Sequence, residues 1–255
     1  MSVALETSSV NIEDTNTYKL VLPGDKLTLN PDIPITLGPG VYCDPKTQDL
    51  IPINAGVERV QLNSKRNNQL VYVDYDSKRY IPAVGDFVIG TIVGAFSDSY
   101  KVALSNFSLN VSLSYMAFPN ATKKNRPTLK IGDLVYACVL TASKELEAEV
   151  ECMDSSTGQD SGFGLLEDGI CLDVPLSFCR KLLFDDHFPL LRSLSKFCKF
   201  EIAIGVNGKV WLKCDEIKNT LACYRSVLQC SKSPVKEYNQ IIKNQFKILA
   251  NTVDE

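Results

Sequence analysis

From Lys19 to about Val84 the apolar positions come in short β-prone runs, Tyr18 to Leu22, Val57 to Leu62 and Leu70 to Tyr75. They are broken by Pro23-Gly24-Asp25, Gly38-Pro39-Gly40, Asp44-Pro45 and Asn67-Asn68. Prolines at 23, 31, 34, 39, 45 and 52 cannot donate to a strand ladder, so this stretch predicts a small β domain of edge strands and turns. Residues 1–18 are polar and acidic without a sustained apolar period and predict a flexible tail. From Gly85 to Asp154 five strands stand out: Phe87 to Phe96, Tyr100 to Leu104, Val111 to Tyr115, Leu134 to Thr141 and Leu146 to Cys152. Five strands of this length, with one long connection from Met116 to Gly132, predict a small closed barrel of the OB type.

The remainder, 155–255, changes to mixed periodicity. Ser161 to Gly169 and Ile170 to Val174 predict strands, Pro175 to Phe184 and Phe188 to Lys196 predict helices, and Phe200 to Ile204 and Lys209 to Lys213 predict a hairpin through Gly205-Val206-Asn207-Gly208. A helix over Glu216 to Ser231 and a last amphipathic helix carrying Val235, Tyr238, Ile241, Ile242 and Leu249 complete the pattern. The order β-α-α-β-β-α resembles a KH module with an extra C-terminal helix. The fold class is thus mainly β plus α+β, divided as 1–18 tail, 19–84 N-terminal β domain, 85–154 barrel and 155–255 KH-type domain.

Composition narrows what these modules can do. In 255 residues, 27 Lys and Arg stand against 30 Asp and Glu, a net charge of −3, so bulk charge does not make the chain a polyanion binder and any such role needs a local patch. No apolar stretch approaches the roughly 20 residues a bilayer span requires, and Glu6, Glu13 and Asp14 stand where a secretory signal would be basic and apolar. The chain is therefore expected to be soluble. Its nine cysteines form no Cys-x-x-Cys pair, and their expected role is that of reduced, buried thiols in the cytosol or nucleus. The single histidine, His187, has no cysteine within seven positions, so that spacing predicts neither a metal site nor any other cofactor.

Catalysis finds little to work with. The chain has no P-loop, no Gly-x-Ser-x-Gly and no His-Glu-x-x-His, and Asp185-Asp186-His187 lies between two predicted helices, where an aspartate is expected as the N-cap of the helix opening at Phe188-Pro189. Glu145, Glu147, Glu149 and Glu151 alternate, which on a strand sets them about 7 Å apart on one solvated face. Between Tyr100 and Ile131 every charge is positive: Lys101, Lys123, Lys124, Arg126 and Lys130. Three cations in the four positions 123–126 can neutralise phosphates without reading bases. With Tyr100, Val102, Leu104, Val111, Leu113 and Tyr115 pointing inward, the outer positions Lys101, Ala103, Ser112 and Ser114 hold no stacking aromatic, so contact with a single strand is expected to track its backbone.

A KH clamp needs Gly-x-x-Gly between two helices. Here the two glycines at 205 and 208 join two strands, and the inter-helix segment carries two negative charges instead. Gly205, Asn207 and Gly208 therefore predict a structural turn with positive φ at the Asn-Gly pair, in a KH fold without its usual RNA clamp.

Specific runs then point to a family. Ser77-Lys78-Arg79-Tyr80-Ile81-Pro82, Val84-Gly85-Asp86-Phe87-Val88-Ile89-Gly90, Ser97-Asp98-Ser99-Tyr100-Lys101-Val102, Leu113 to Pro127, Lys130 to Ala137 and the Gly-x-Asn-Gly at 205–208 closely resemble the S1/KH-type cap subunits of the RNA exosome. The resemblance covers about residues 20–250. It implies an S1-type barrel, no catalytic activity, and a subunit that sits on a ring of RNase PH-like proteins beside other cap subunits. It implies stabilisation of that ring and guidance of RNA 3′ ends toward a separate 3′ to 5′ exoribonuclease, in rRNA processing and in RNA degradation. Ring contact is implied for the N-terminal domain, packing of barrel against KH for the Gly-x-Asn-Gly segment, and a place at the channel mouth for Lys123, Lys124 and Arg126. Nucleus, nucleolus and cytoplasm are the implied locations. A free-standing RNA-binding protein of the translation apparatus is the alternative use of the same modules.

Overall fold

A computed structural model describes residues 19–27, 29, 33–63, 67–106, 108–122, 125–143, 145–154, 157–159 and 161–251. The chain divides into two compact units, the first ending at Asp76 and the second starting at Ser77. Neither Lys123 nor Lys124 is among the described residues, nor is the predicted 1–18 tail.

In the first unit, β1 (Lys19–Val21), β2 (Ile35–Leu37), β5 (Gly56–Asn63) and β6 (Asn68–Asp74) form a sheet in the order β1-β5-β6-β2, and β3 (Val41–Cys43) and β4 (Leu50–Pro52) form a separate hairpin. β6 alternates strictly, burying Gln69, Val71 and Val73. With Val21 these make a thin core, while Leu20, Leu22, Ile53, Val60 and Leu62 remain exposed. A unit this small encloses too little volume to cover its apolar side chains. The strands β2, β3 and β4, each three residues long and flanked by prolines, were too short to mark from alternation alone.

The second unit opens with a barrel of β7 (Phe87–Ala95), β8 (Ser99–Ala103), β9 (Val111–Ser114), β10 (Leu134–Thr141) and β11 (Glu149–Glu151). β7, β8 and β9 form an antiparallel meander, β9 pairs in parallel with β11, and β11 returns through β10 to β7, so the ring closes. Val88, Ile92, Tyr100, Val102, Leu104, Val111, Leu113, Val135, Ala137, Val139 and Val150 fill it. Closure needs glycine at 90, where a Cβ would lie 2.1 Å from Val102 Cγ1.

Two expectations fail in this region. The strand predicted to open the KH-type domain, β12 (Gly164–Leu166), instead pairs with the outer edge of β10 and belongs to the barrel sheet. The glutamates at 145–151 share no solvated strand face: only 149–151 is strand, and Glu151 is buried. Alternation shows which residues share a face. It does not show whether that face meets solvent.

Beyond the barrel come β13 (Ile170–Asp173), α1 (Leu176–Phe184), α2 (Pro189–Leu194), β14 (Phe200–Gly205), β15 (Lys209–Cys214), α3 (Ile217–Cys230) and α4 (Tyr238–Asn251), with the sheet in the order β13-β15-β14. Cys223, Val227 and Cys230 recur at helical spacing on α3 and pack with Leu172, Phe178, Leu190, Leu194, Val210 and Leu212. Trp211 and Ala203 pack instead with Ile89 of β7, so the sheet separates the helical core from the barrel.

Candidate nucleic-acid interface

The loop 116–132 is tied to the barrel by two tyrosines that alternation had turned inward. Tyr100 is buried, donates its hydroxyl to Pro127 O at 2.8 Å and accepts from Leu129 N at 3.0 Å. Tyr115 packs edge-on against it, ring centroids 4.5 Å apart, and donates to Phe96 O at 2.6 Å. Arg126 lies over the Tyr115 ring, 5.5 Å from its centroid, and donates from Nη1 to Ser97 O at 3.1 Å. Thr122 and Asn125 exchange backbone hydrogen bonds of 3.0 and 3.1 Å, which pin the loop at these two positions. Arg126 remains exposed, a positioned cation at the barrel rim.

The other expected contacts are arranged differently. Lys101 pairs with Glu147, which the segment after β10 brings back over β8, so its charge is matched within the chain. Counting charges from Tyr100 to Ile131 could not reveal a counter-ion supplied from outside that window. Lys130 is exposed, and its backbone N–H binds the Asp133 carboxylate. An aromatic does stand beside the cations: Phe96, in the β7–β8 turn whose backbone holds Tyr115 and Arg126, is 59% exposed. Considering only the outward positions of β8 and β9 passed over it. A phenylalanine at the head of the turn Phe96-Ser97-Asp98 was the available signal.

The Gly205–Gly208 turn is enclosed between barrel and KH sheet. Asn207 is 5% exposed, accepts from Ile89 N at 3.2 Å through Oδ1, and donates from Nδ2 to Ile89 O at 2.8 Å and Leu104 O at 2.7 Å. Val206 N donates to Phe87 O. A Cβ on Gly205 would meet Asn207 Oδ1 at 2.2 Å and Ile89 N at 2.8 Å. Positive φ is confined to Gly208, at 85°, and the Gly208 N–H closes the turn on Gly205 O. The expectation of positive φ at both central residues is corrected: the hairpin has a three-residue loop, and Asn207 acts through its side chain.

Between α1 and α2, Asp185, Asp186 and His187 are all exposed. The predicted aspartate N-cap is not formed. The N-cap residue is Phe188, without a side-chain cap, and Asp185 accepts from His187 N at 3.0 Å to stabilise the inter-helix turn. The segment presents carboxylates and no glycine where a phosphate clamp would need bare backbone N–H groups.

Burial shifts several groups near the module boundary. It pushes the Tyr136 phenol up to about 12 and the Cys152 and Cys179 thiols up to about 12. The Tyr80 phenol is raised by burial and by its 2.7 Å hydrogen bond to Asp86.

A closed five-stranded barrel joined to a KH sheet through a buried asparagine turn, preceded by a small β unit, defines a three-part protein of the S1–KH class. Residues 80–164 match the profile described as the S1 domain of exosome complex component RRP40, 169–218 match a KH domain, and 35–79 match the N-terminal domain described as that of exosome complex exonuclease Rrp40. The chain is 58% identical over 236 residues to exosome complex component RRP40 of Saccharomyces cerevisiae, covering 92% of this chain and 98% of that one. It is 34% identical over 245 residues to the Mus musculus protein of the same name, covering 88% of each. A crystal structure described as a candidate exosome complex RNA-binding protein superposes with a TM-score of 0.55 at 20% identity, covering 66% of this chain and 98% of that one, a likeness of fold. The chain belongs to the RRP40 family of exosome complex components.

Proposed function

We propose that this chain is a non-catalytic, RNA-binding cap subunit of the exosome. In this reading it stabilises a ring of RNase PH-like subunits and guides RNA 3′ ends toward an exoribonuclease carried by another chain, in the nucleus, the nucleolus and the cytoplasm. The carrying observation is the rim loop: Arg126 is held by Ser97 and the Tyr115 ring yet remains open to solvent, in the loop that also holds Lys123 and Lys124. Such cations attract a polyanion and let it slide, because backbone contacts carry no sequence information. Phe96 offers one adjoining ring for stacking. The exposed apolar side chains of the first unit, Leu20, Leu22, Ile53 and Leu62 among them, support its use as a docking surface on the ring.

The non-catalytic reading draws on where the acidic groups are committed. Glu147 neutralises Lys101, Asp133 caps the turn at Lys130, and Asp86 binds Tyr80. Among the described residues, the only convergent set of three or more His, Cys, Asp or Glu consists of cysteines in the KH-type domain.

The test is RNA protection by the assembled complex over a range of salt. Charge reversal at Lys123, Lys124 and Arg126 is expected to weaken RNA engagement and to lower the slope of log affinity against log salt by about 2, since each single-strand phosphate contact contributes about 0.7. Assembly, read as native complex size, should be unchanged. An unaltered salt slope would refute the guide, and a native size equal to one chain would refute the cap assignment.

A further inference from the structure

Three cysteines far apart in sequence converge beneath the KH sheet. Cys198 follows α2, Cys214 ends β15 and Cys223 lies on α3. Their sulfurs all lie within 4.8 Å of one another, with Cys198 Sγ to Cys223 Sγ at 3.4 Å and Cys214 Sγ to Cys223 Sγ at 3.9 Å. Cys223 is fully buried, whereas Cys198 and Cys214 are half-buried.

Three uses compete for such a cluster. As small hydrophobes the thiols would fill the core beside Leu212 and Val227, which explains Cys223 but does not require that half-exposed positions on two other elements also present sulfur to it. A disulfide would use two of the three sulfurs and needs a thiolate to attack. It would leave the third sulfur of the cluster unexplained. A bound cation engages all three, since its charge compensates the sulfurs it coordinates and deprotonates them outright. The spacing also suits a metal. With bonds of about 2.3 Å, three sulfurs around one ion sit about 4 Å apart, within the range the structure shows.

We infer that Cys198, Cys214 and Cys223 form a three-thiolate site for a soft d10 cation, Cu(I). The donor set decides the ion. All three ligands are thiolates, with no imidazole or carboxylate in the set, and soft sulfur selects Cu(I). Three donors complete a trigonal Cu(I) centre, while Zn²⁺ would still require a fourth ligand. Binding replaces three S–H bonds by three Cu–S bonds and releases three protons to solvent, with no change in oxidation state.

The full-length reduced chain, titrated anaerobically with Cu(I) buffered by a chromophoric Cu(I) chelator, tests this. One equivalent should be withdrawn from the chelator, with near-ultraviolet thiolate-to-copper absorption and a rise in Tm. Cys198→Ser, at a half-buried position, should fold with the native circular dichroism spectrum and lose that equivalent. Cys43→Ser, in the first unit, should keep it. X-ray absorption of the loaded chain should show three sulfur neighbours at about 2.3 Å. Should Cys198→Ser fail to fold, Cys214→Ser takes its place, and the absorption spectrum of the native chain decides independently. No withdrawal from the chelator, equal withdrawal by Cys198→Ser and native chain, or tight retention of Zn²⁺ in preference to Cu(I) would each overturn the assignment.

Discussion

The turn at 205–208 and the loop at 116–132 both look, on the page of residues, like places where a nucleic acid could be held, one by glycines and the other by cations. Structure sends them to opposite fates. The turn is enclosed, and every polar atom of the Asn207 amide group is spent on barrel backbone. In the loop, Arg126 stays outside, and anchoring is done by tyrosines so that its charge is left over for something else. The difference follows from desolvation: a satisfied amide can be buried at little cost, whereas a guanidinium stays at the surface unless a counter-ion accompanies it.

The comparison can be broken most severely at Asn207. Asn207→Ala leaves Ile89 N, Ile89 O and Leu104 O without this partner in a buried site, and an equilibrium urea melt should show a loss of about 3 to 5 kcal/mol. Asn207→Asp should be at least as damaging, because a carboxylate oxygen would face the two carbonyls that Nδ2 now serves. RNA binding by whatever fraction remains folded should be unchanged, which separates a structural turn from a clamp.

Alkaline pH acts on the same buried side. The Cys152 and Cys179 thiols rise from 9.0 to about 12 in the folded chain, and Cys179 neighbours the Gly208 backbone. A group whose folded pKa is raised stabilises fully below its unfolded value, and that stability is lost as pH climbs from the unfolded toward the folded pKa. These two thiols should therefore leave the stability read by urea melts constant up to about pH 8 and contribute a fall of about 2 to 3 kcal/mol by pH 10, with the other buried thiols, Cys223 and Cys230, adding to it. A flat profile across that window would mean that these thiols are solvated.

On the loop side the effects shrink. Tyr100→Phe keeps the ring in the core but removes the hydroxyl shared by Pro127 O and Leu129 N, a cost of about 1 to 2 kcal/mol, and hydrogen exchange should quicken selectively at Leu129. Arg126→Ala should change stability by about 0.5 kcal/mol or less, because its contacts are exposed, while weakening RNA binding and flattening its salt dependence. A large stability loss here would make Arg126 a structural residue and dissolve the contrast.

Much of this architecture was legible beforehand because it depends on neighbours in sequence. Alternation in 100–104 and 111–115 identified the inward tyrosines, and proline at 175 and 189 marked the two short helices. The errors share a cause. The capping expectation at 185–186 assumed that an aspartate would reach the helix end, but the N-cap is Phe188, and the Asp185 carboxylate is engaged by His187 N instead. Glu151 and Lys101 were judged by their own strand, yet burial came to one and a counter-ion to the other from elements elsewhere in the chain.

Local periodicity, turn chemistry and the runs of family-specific residues were sufficient by themselves to establish three modules and their order. Those properties rest on energies between residues a few positions apart, which the order of amino acids states directly. Only the folded chain decided that Asn207 would meet Ile89, 118 positions away, and that Cys198 and Cys223, 25 positions apart, would bring their sulfurs together. Such contacts arise when distant segments close on one another to bury apolar surface, and the polar groups and thiols trapped there take partners that no spacing along the sequence specifies.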